Sequence, residues 1–297
     1  TLRALGPAAQ DVPLVAPSAT AARSDPPPPA ARQALWVALA ATGSLLLLAV
    51  TNHLTENVAA VPLLWVVPLS IYLVTFILCF DSERWYRRPY FLAAAAAMLG
   101  VMAWTLADDR VTHELALQFA VFVVGLFVAC MFCHGELASL KPAPRYLTRF
   151  YLMVALGGAI GSALVGIVAP LVLPASFELA LGLVVCADLL LIRVRGVGPA
   201  YSALAVAAVV VTIGAGIYSI QDFYSSTIYA TRNFYGVLRV QEAGSGAAHH
   251  RTLIHGTIVH GNQYLDGGID REPSTYYTRT SGIGLLLESL NPSLAPL

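Results

Sequence analysis

One short stretch of this sequence has the spacing of a haem-attachment site. Residues 130–134 read CMFCH, which places Cys130, Cys133 and His134 in the C-x-x-C-H arrangement that attaches c-type haem. A zinc site is the other chemistry to weigh, with Glu136 as a further ligand. Both kinds of site need side chains that converge on one point, so the surrounding sequence decides whether either is reasonable.

The surrounding sequence favours packing over either site. The motif closes a long apolar run, and inside a helix of this kind Cys behaves as a small hydrophobic residue. We therefore expect the helix to end near His134, with a break at Gly135 and a basic loop after it. This interpretation predicts neither haem nor a metal at the motif.

Four histidines near the C-terminus raise the same question. They are His249, His250, His255 and His260. Because His255 and His260 are five residues apart, they would point to opposite faces of a single strand, and a bulge at Gly256 would be needed to bring them together. No cysteine or paired carboxylate accompanies them, so we expect a structural or substrate-facing role and no metal.

The composition indicates that lipid is the solvent for most of the chain. Of 297 residues, 57% are apolar and 11% are charged, whereas a soluble domain is about half apolar and about a quarter charged. The net charge of zero says nothing about partners, and no basic block suggests a nucleic-acid partner. The four cysteines lie in apolar runs, so a disulfide framework is not expected.

Apolar runs of about membrane length fill the middle of the chain. A helix crosses the hydrocarbon core in about 20 residues, and the lipid forces such a segment to be helical. We predict a polytopic α-helical domain of about seven spans in the cell (inner) membrane. The runs are 35–54, 61–80, 89–107, 115–133, 150–173, 176–193 and 201–220.

The domain boundaries follow from changes in composition. Residues 1–33 are rich in Ala and Pro and are expected to be a linker, 34–221 form the membrane domain, and 222–297 form a β-rich module. We also expect sequence to be missing on both sides of this chain.

Positive charge alternates between the breaks and predicts the orientation. The positive-inside rule places the basic breaks in the cytoplasm. Either seven crossings then put the C-terminal module on the other side, or one apolar run does not cross. The basic breaks carry Arg84, Arg87 and Arg88, then Lys141, Arg145 and Arg149, then Arg193 and Arg195.

Polar residues at the end of the first span form a candidate site. Asn52, His53, Glu56 and Asn57 lie there, and His53 and Asn57 share a helix face. Ionisable groups in the membrane are costly and often functional, but an interfacial turn in contact with water is the favoured explanation of these four.

Small residues in the fifth run predict close helix packing. Gly157 and Gly161 are four residues apart, which lets two helices approach closely. Membrane lipid is the expected partner of the whole domain, and homo-oligomerisation is left open.

The C-terminal module has strand-forming and turn-forming residues. Phe234–Gln241 and Arg251–His260 are predicted strands, joined by a loop around AGSGAA, and Ser281–Leu290 is a predicted helix.

Several stretches resemble the membrane-fused spermidine synthase-like proteins, relatives of the polyamine aminopropyltransferases. In the module they are RNFYGVLRV, LIHGTIVHGNQ and PSTYYTRTSGIGLLL, and in the membrane domain LLLLAVTNHLTENVAAVPLLWVVPLSIYLVTFILCF and FCHGELASLKPAPRYLTRFYLMVALGGAIG. The resemblance covers roughly residues 35–290. It implies that the module corresponds to the N-terminal β-region of the transferase domain.

The resemblance implies a reaction and candidate site residues. The family transfers an aminopropyl group from decarboxylated S-adenosylmethionine, a co-substrate, to an amine such as putrescine. If the module lies on the side away from the cytoplasm, this cytosolic adenosyl donor is absent there. Gln263 and either Tyr276 or Tyr277 match the Gln and Tyr that face the substrates. The soluble enzymes have Tyr-His-Glu where this chain has Tyr276, Tyr277 and Thr278, which puts the amine specificity in doubt.

The rest of the family's active site would lie downstream of Leu297. The glycine-rich nucleotide loop and the catalytic acidic residues are expected there, so we expect these 297 residues alone to be inactive and to hold no cofactor. The alternative is a polyamine or amine transporter, or an amine-binding protein, with a non-catalytic β-module.

Overall fold

The computed structural model describes residues 26–57, 63–108, 114–256, 258–265 and 273–290. In this part the protein is mostly helical and carries one small antiparallel sheet near its C-terminal end. Five of its helices are long and apolar enough to cross a membrane. The predicted combination of apolar membrane-type helices with a small β-sheet is therefore confirmed.

All seven predicted apolar runs contain a helix. In two of the runs the helix is shorter than 18 residues: α2 has 16 residues and α7 has 17, whereas α5 also has 17 but continues through a π-helical turn into α6. The helices are α1 (Ala30–Asn57), α2 (Val66–Asp81), α3 (Arg88–Ala107), α4 (Leu115–Ser139), α5 (Leu147–Ala163), α6 (Ala169–Val172), α7 (Glu178–Val194), α8 (Pro199–Ser226) and, after the sheet, α9 (Gly282–Leu290).

Helix α1 runs through the core of the bundle and contacts α5 closely. A Cβ atom built on Gly157 would lie 2.5 Å from the carbonyl oxygen of Val37, and one on Gly161 would lie 2.1 Å from that of Ala41. The Trp36 and Phe150 rings meet edge to face near this contact, with centroids 5.1 Å apart. Only glycine allows the two backbones to come this close.

The outer surface of the bundle is apolar along its length. Long side chains such as Leu152, Ile167, Leu171 and Val210 are each at least half exposed. An exposed apolar surface of this extent would cause aggregation in water, but lipid chains would cover it.

Helix α4 does not end where the sequence suggested. The predicted break at Gly135 is wrong, since α4 continues to Ser139. A Cβ atom on Gly135 would lie 2.2 Å from the Tyr86 ring. The glycine therefore provides space for an aromatic ring on a neighbouring segment and leaves the helix intact.

A π-helical turn, Leu164–Val168, joins α5 to α6. Pro170 follows it and cannot donate a backbone hydrogen bond to residue 166, and its ring would clash with that carbonyl in a regular α-helix. Residue 166 is a glycine, and a Cβ atom there would meet nothing within 4 Å. The wider turn is thus a local response to the proline.

The sheet has four antiparallel strands in sequential order. They are β1 (Thr227–Asn233), β2 (Gly236–Ala243), β3 (His250–His255) and β4 (Ile258–Tyr264). Strand β1 was not predicted, because it follows α8 directly with no intervening turn residue. Phe234, predicted to start a strand, lies instead in the β1–β2 turn.

The predicted single strand Arg251–His260 is wrong, because it contains a hairpin. Gly256 has φ +59°, a left-handed conformation that reverses the chain between β3 and β4. The His255 and His260 rings consequently stack with centroids 5.9 Å apart. Leu253 pairs with Gly261 and Ile254 pairs with Val259, so the pairing register skips His260.

Candidate functional site

The helical bundle has two chemically different ends. At the basic end, Glu136 of α4 forms ion pairs with Arg88, at the start of α3, and with Arg193, near the end of α7. At the sheet end, Glu178 begins α7 and contacts Arg232 of β1. Two candidate cavities are lined in part by residues of the sheet.

The sheet cavity, of about 400 Å³, lies on one face of the sheet. It brings together the predicted residue Gln263, from β4, and Tyr277, from the segment before α9. Its lining consists of Val240, Arg251, Leu253, Gly261, Asn262, Gln263, Pro273, Ser274, Thr275 and Tyr277.

Hydrogen-bonding groups are concentrated in this sheet cavity. Arg251 lies directly opposite Gln263 in the β3–β4 register. The Ser274 hydroxyl donates to the Asn262 carbonyl and fastens the segment before α9 to β4. The buried Asn262 Oδ1 atom has no hydrogen-bond partner among the described residues, and a buried acceptor of this kind is costly unless a ligand or water satisfies it.

The two candidate tyrosines have different surroundings. Tyr276 directs its hydroxyl towards the Val259 carbonyl at 3.3 Å and towards His260 Nδ1 at 3.4 Å. Only Tyr277 lines the sheet cavity. Tyr277 is therefore the one that shares a cavity with Gln263, and a substrate-facing role for either tyrosine stays a prediction.

Beside the sheet cavity, the Glu242 carboxylate is hydrogen-bonded to two basic side chains, Arg251 and His249. Arg251 Nε donates to Glu242 Oε2 at 2.8 Å, and His249 Nε2 lies 2.9 Å from Glu242 Oε1. These hydrogen bonds hold the pKa of Glu242 below its ordinary value. Of the described residues that line the cavity, none is acidic, so they can bind a polar group but cannot deprotonate an amine.

The junction cavity, of about 210 Å³, lies between the helices and the sheet. The end of α1, the π-helical turn and the β1–β2 turn surround it. Its lining consists of Asn52, Thr55, Glu56, Val165, Gly166, Pro170, Arg232, Asn233, Phe234, Tyr235 and Gly236.

A buried ion pair fastens the sheet to the bundle beside this cavity. Arg232 donates through Nη1 and Nη2 to both oxygens of Glu178, at 2.9 and 2.7 Å, and through Nη1 to the Ala175 carbonyl at 2.7 Å. Both side chains are only 5% exposed. Asn52 Nδ2 lies 3.5 Å from the same carboxylate.

The predicted polar cluster of α1 is divided by the structure. Asn52 and Glu56 line the junction cavity, and Glu56 Oε1 accepts a hydrogen bond from Ser176 Oγ at 2.9 Å. The His53 ring packs against Phe122 of α4, with centroids 4.4 Å apart. Asn57 is the last residue of α1, and its side chain lies outside the described part of the structure.

The C-x-x-C-H residues are enclosed in the bundle. Cys130 and Cys133 are 0% exposed. His134 Nδ1 lies 3.1 Å from Thr75 Oγ1, and its ring meets Tyr72 and Phe76 edge to face. Among the described residues, no group of three or more His, Cys, Asp or Glu side chains is placed to hold a metal ion.

Sequence reasoning missed the two most buried charge clusters. Glu136 accepts hydrogen bonds from Tyr86 at 2.9 Å, from Arg88 at 2.7 Å and from Arg193, and burial raises the pKa of the Tyr86 hydroxyl. A carboxylate at the end of an apolar run flanked by basic breaks could have signalled this cluster. Nothing in the sequence signals the Arg232–Glu178 pair, whose partners are 54 residues apart.

Comparisons with protein-family models, curated proteins and solved structures found no match to this chain.

Proposed function

We propose that this chain is the membrane-anchored part of a spermidine synthase-like protein. Its longer parent chain would transfer an aminopropyl group from decarboxylated S-adenosylmethionine to putrescine or a related amine. The observation that carries the proposal is the sheet cavity: Gln263 and Tyr277, both candidates from the resemblance, line it together with Arg251 and Asn262.

The chemistry of the sheet cavity suits the entry of such substrates. Amide, hydroxyl and guanidinium groups donate hydrogen bonds to the polar edges of an adenosyl donor, and the buried Asn262 Oδ1 accepts one in return. General-base catalysis requires a carboxylate within reach of the amine. On this proposal the parent chain supplies that carboxylate from its catalytic domain.

The experiment uses the parent chain, extended through its catalytic domain. Calorimetry with decarboxylated S-adenosylmethionine should show weaker binding for Gln263→Ala and for Tyr277→Phe, each by about tenfold if one buried hydrogen bond is lost. Tyr276→Phe is the matched control, since its hydroxyl contacts the β4 strand. Unchanged binding and turnover in both cavity variants would contradict the proposal.

We further propose that all seven helical segments cross the membrane. The 16 residues of α2 span about 24 Å, slightly less than a hydrocarbon core of about 30 Å, and the basic residues beyond its end can reach the headgroups. The sheet attaches at the end opposite the basic breaks. By the positive-inside rule it would face away from the cytoplasm, and the donor would have to reach it there.

Cysteine labelling in intact cells tests this orientation. Tyr235 is 92% exposed in the β1–β2 turn, and Glu83 is exposed between α2 and α3. With a membrane-impermeant maleimide, Tyr235→Cys should react in intact cells, whereas Glu83→Cys should react only after permeabilisation. The reverse pattern, or labelling of both in intact cells, would contradict seven crossings with this orientation.

The second candidate function is transport or binding of amines by the helical domain. It is favoured by the junction cavity, which presents the Glu56 carboxylate at the end of a membrane helix. Uptake of labelled putrescine into proteoliposomes containing this chain would support transport. Donor binding by the parent chain without any uptake would support the transferase instead.

A further inference from the structure

Among the described residues, no Lys or Arg side chain pairs directly with the Glu56 carboxylate of the junction cavity, and Arg232 and His255 act on it only electrostatically. The cavity contains or borders two carboxylates, Glu56 and Glu178, and one guanidinium, that of Arg232. Arg232 donates to both oxygens of Glu178 and to the Ala175 carbonyl. The Arg232 guanidinium therefore donates to Glu178 and not to Glu56, and Glu56 is the carboxylate that lines the cavity.

Glu56 has acceptor capacity beyond the hydrogen bond that it receives. A carboxylate offers about four lone-pair positions on two oxygens, and Ser176 Oγ occupies one of them at Oε1. Among the described residues, neither Lys nor Arg forms an ion pair with Glu56. A carboxylate that faces a cavity in this way suits a cation that can donate hydrogen bonds.

Two aromatic side chains stand at the edge of the cavity. Phe234 is 68% exposed and Tyr235 is 92% exposed, although both are large and apolar. The Asn233 side chain accepts the Tyr235 backbone N–H at 2.8 Å and so fixes the turn that presents them. Exposed aromatic faces beside a carboxylate attract organic cations through the ring quadrupole.

The π-helical turn provides the space on the remaining side. Gly166 lines the cavity, and a Cβ atom there would meet nothing within 4 Å. Turns of this type are frequent at functional sites in helices. The open position means that a larger side chain can be introduced here to fill the cavity without distorting the backbone.

We propose that the junction cavity binds a small primary alkylammonium ion. The ammonium group donates hydrogen bonds to Glu56, and the alkyl part lies against Phe234 and Tyr235. The site shares no lining residue with the sheet cavity. It deepens the second candidate function, on which it rests, by naming the ligand class and its contacts, and it does not require transport, since binding without uptake is sufficient.

A divalent cation fits these groups less well than an ammonium ion. Calcium takes six to eight oxygen ligands and is usually held by several carboxylates, whereas Glu56 is the carboxylate that lines this cavity. An aromatic rim contributes nothing to the coordination of a metal but stabilises an organic cation.

Calorimetry on the full chain in lipid nanodiscs tests the proposal with propylammonium chloride as the probe. Wild-type protein should bind it saturably and should not bind propan-1-ol, which has the same alkyl part without the charge. Glu56→Gln should weaken binding by about tenfold or more, because a charge-assisted hydrogen bond becomes a neutral one. Glu83 is an exposed carboxylate at the basic end, so Glu83→Gln is the matched control and should bind as wild type.

A second pair of variants keeps the test decisive if Glu56→Gln fails to fold. Gly166→Leu should abolish binding by filling the cavity, whereas Gly100→Leu, at a helix position that is also open within 4 Å, should not. Neither variant alters a lining residue of the sheet cavity, which separates this site from the proposed transferase site. Absence of saturable binding in wild type, or binding unaffected by Gly166→Leu, would overturn the proposal.

Discussion

At the scale of single residues, burial decides which thiols can react. Cys130 and Cys133 are 0% exposed within a continuous helix, and haem attachment requires both thiols to reach the vinyl groups. We expect no haem in pyridine haemochrome spectra of protein from cells that mature c-type cytochromes. We also expect no maleimide labelling at either thiol in the folded protein, whereas an introduced Glu83→Cys should label. A covalent haem adduct would contradict this prediction.

Glycines differ sharply in how much space surrounds them. A Cβ atom at Gly161 would lie 2.1 Å from the Ala41 carbonyl oxygen, but one at Gly100 would meet nothing within 4 Å. We expect Gly161→Ala to lower the free energy of unfolding by about 1–3 kcal/mol, the usual cost of overpacking. Gly100→Ala should be neutral or stabilising. Thermal unfolding in detergent measures both, and equal stability of the two variants would mean that α1 and α5 are not in contact.

The carboxylate of Glu242 makes the sheet sensitive to acid. Its pKa is lowered in the folded protein by hydrogen bonds from Arg251 and His249. The stabilisation is therefore present above the ordinary pKa of the unfolded chain and is lost as the pH falls through the lower folded value. Protection of β2 and β3 against hydrogen exchange, relative to the intrinsic rate at each pH, should fall as the pH drops below the ordinary glutamate pKa, and Glu242→Gln should reduce this fall. An unchanged profile in the variant would disprove the link.

At the scale of elements, one buried ion pair holds β1 to α7. Removing one partner of such a pair leaves an uncompensated buried charge, which typically costs about 3–5 kcal/mol. Arg232→Met should therefore raise hydrogen exchange throughout β1, and the double variant Arg232→Met with Glu178→Gln should recover part of the loss. Arg251→Met, which breaks an exposed pair in the same sheet, should have a much smaller effect on β1.

The helices could be located from the sequence better than the strands. A long apolar run in lipid has no alternative to a helix, because its backbone amides have no water to bond. The sheet offered no comparable constraint. Strand β1 directly continues α8, and the β3–β4 reversal depends on the positive φ of Gly256, so neither had a recognisable turn sequence.

The sequence named some residues of the cavities but not their grouping. Gln263 could be selected in advance only from the resemblance, and Glu56 from its position as an ionisable residue at the end of a membrane span. The separation of Tyr276 from Tyr277, and of His53 from Asn52, depends on which face of an element meets its neighbour. Arg232 could not be found, because its partner is brought to it only by the fold.

At the scale of the whole molecule, the sheet cavity presents hydrogen-bonding groups, and the carboxylate beside it, Glu242, is held by Arg251 and His249. The sheet cavity has no acidic residue among its described lining, while Asp266, Asp270 and Glu272 lie outside the described residues. We expect the 297-residue chain to form no spermidine from putrescine and decarboxylated S-adenosylmethionine in a mass-spectrometric product assay. The parent chain is the positive control, and turnover by the shorter chain would contradict the assignment.

Because α8 continues directly into β1, a change in the tilt of α8 would also move the sheet. Helix α8 has 28 residues and is about 42 Å long, so in a hydrocarbon core of about 30 Å it must tilt or protrude. If α8 crosses the membrane as proposed, a thicker bilayer would favour a smaller tilt of α8, and the sheet, which Arg232 fastens to α7, would have to follow this change. The width of the junction cavity would then depend on the thickness of the bilayer.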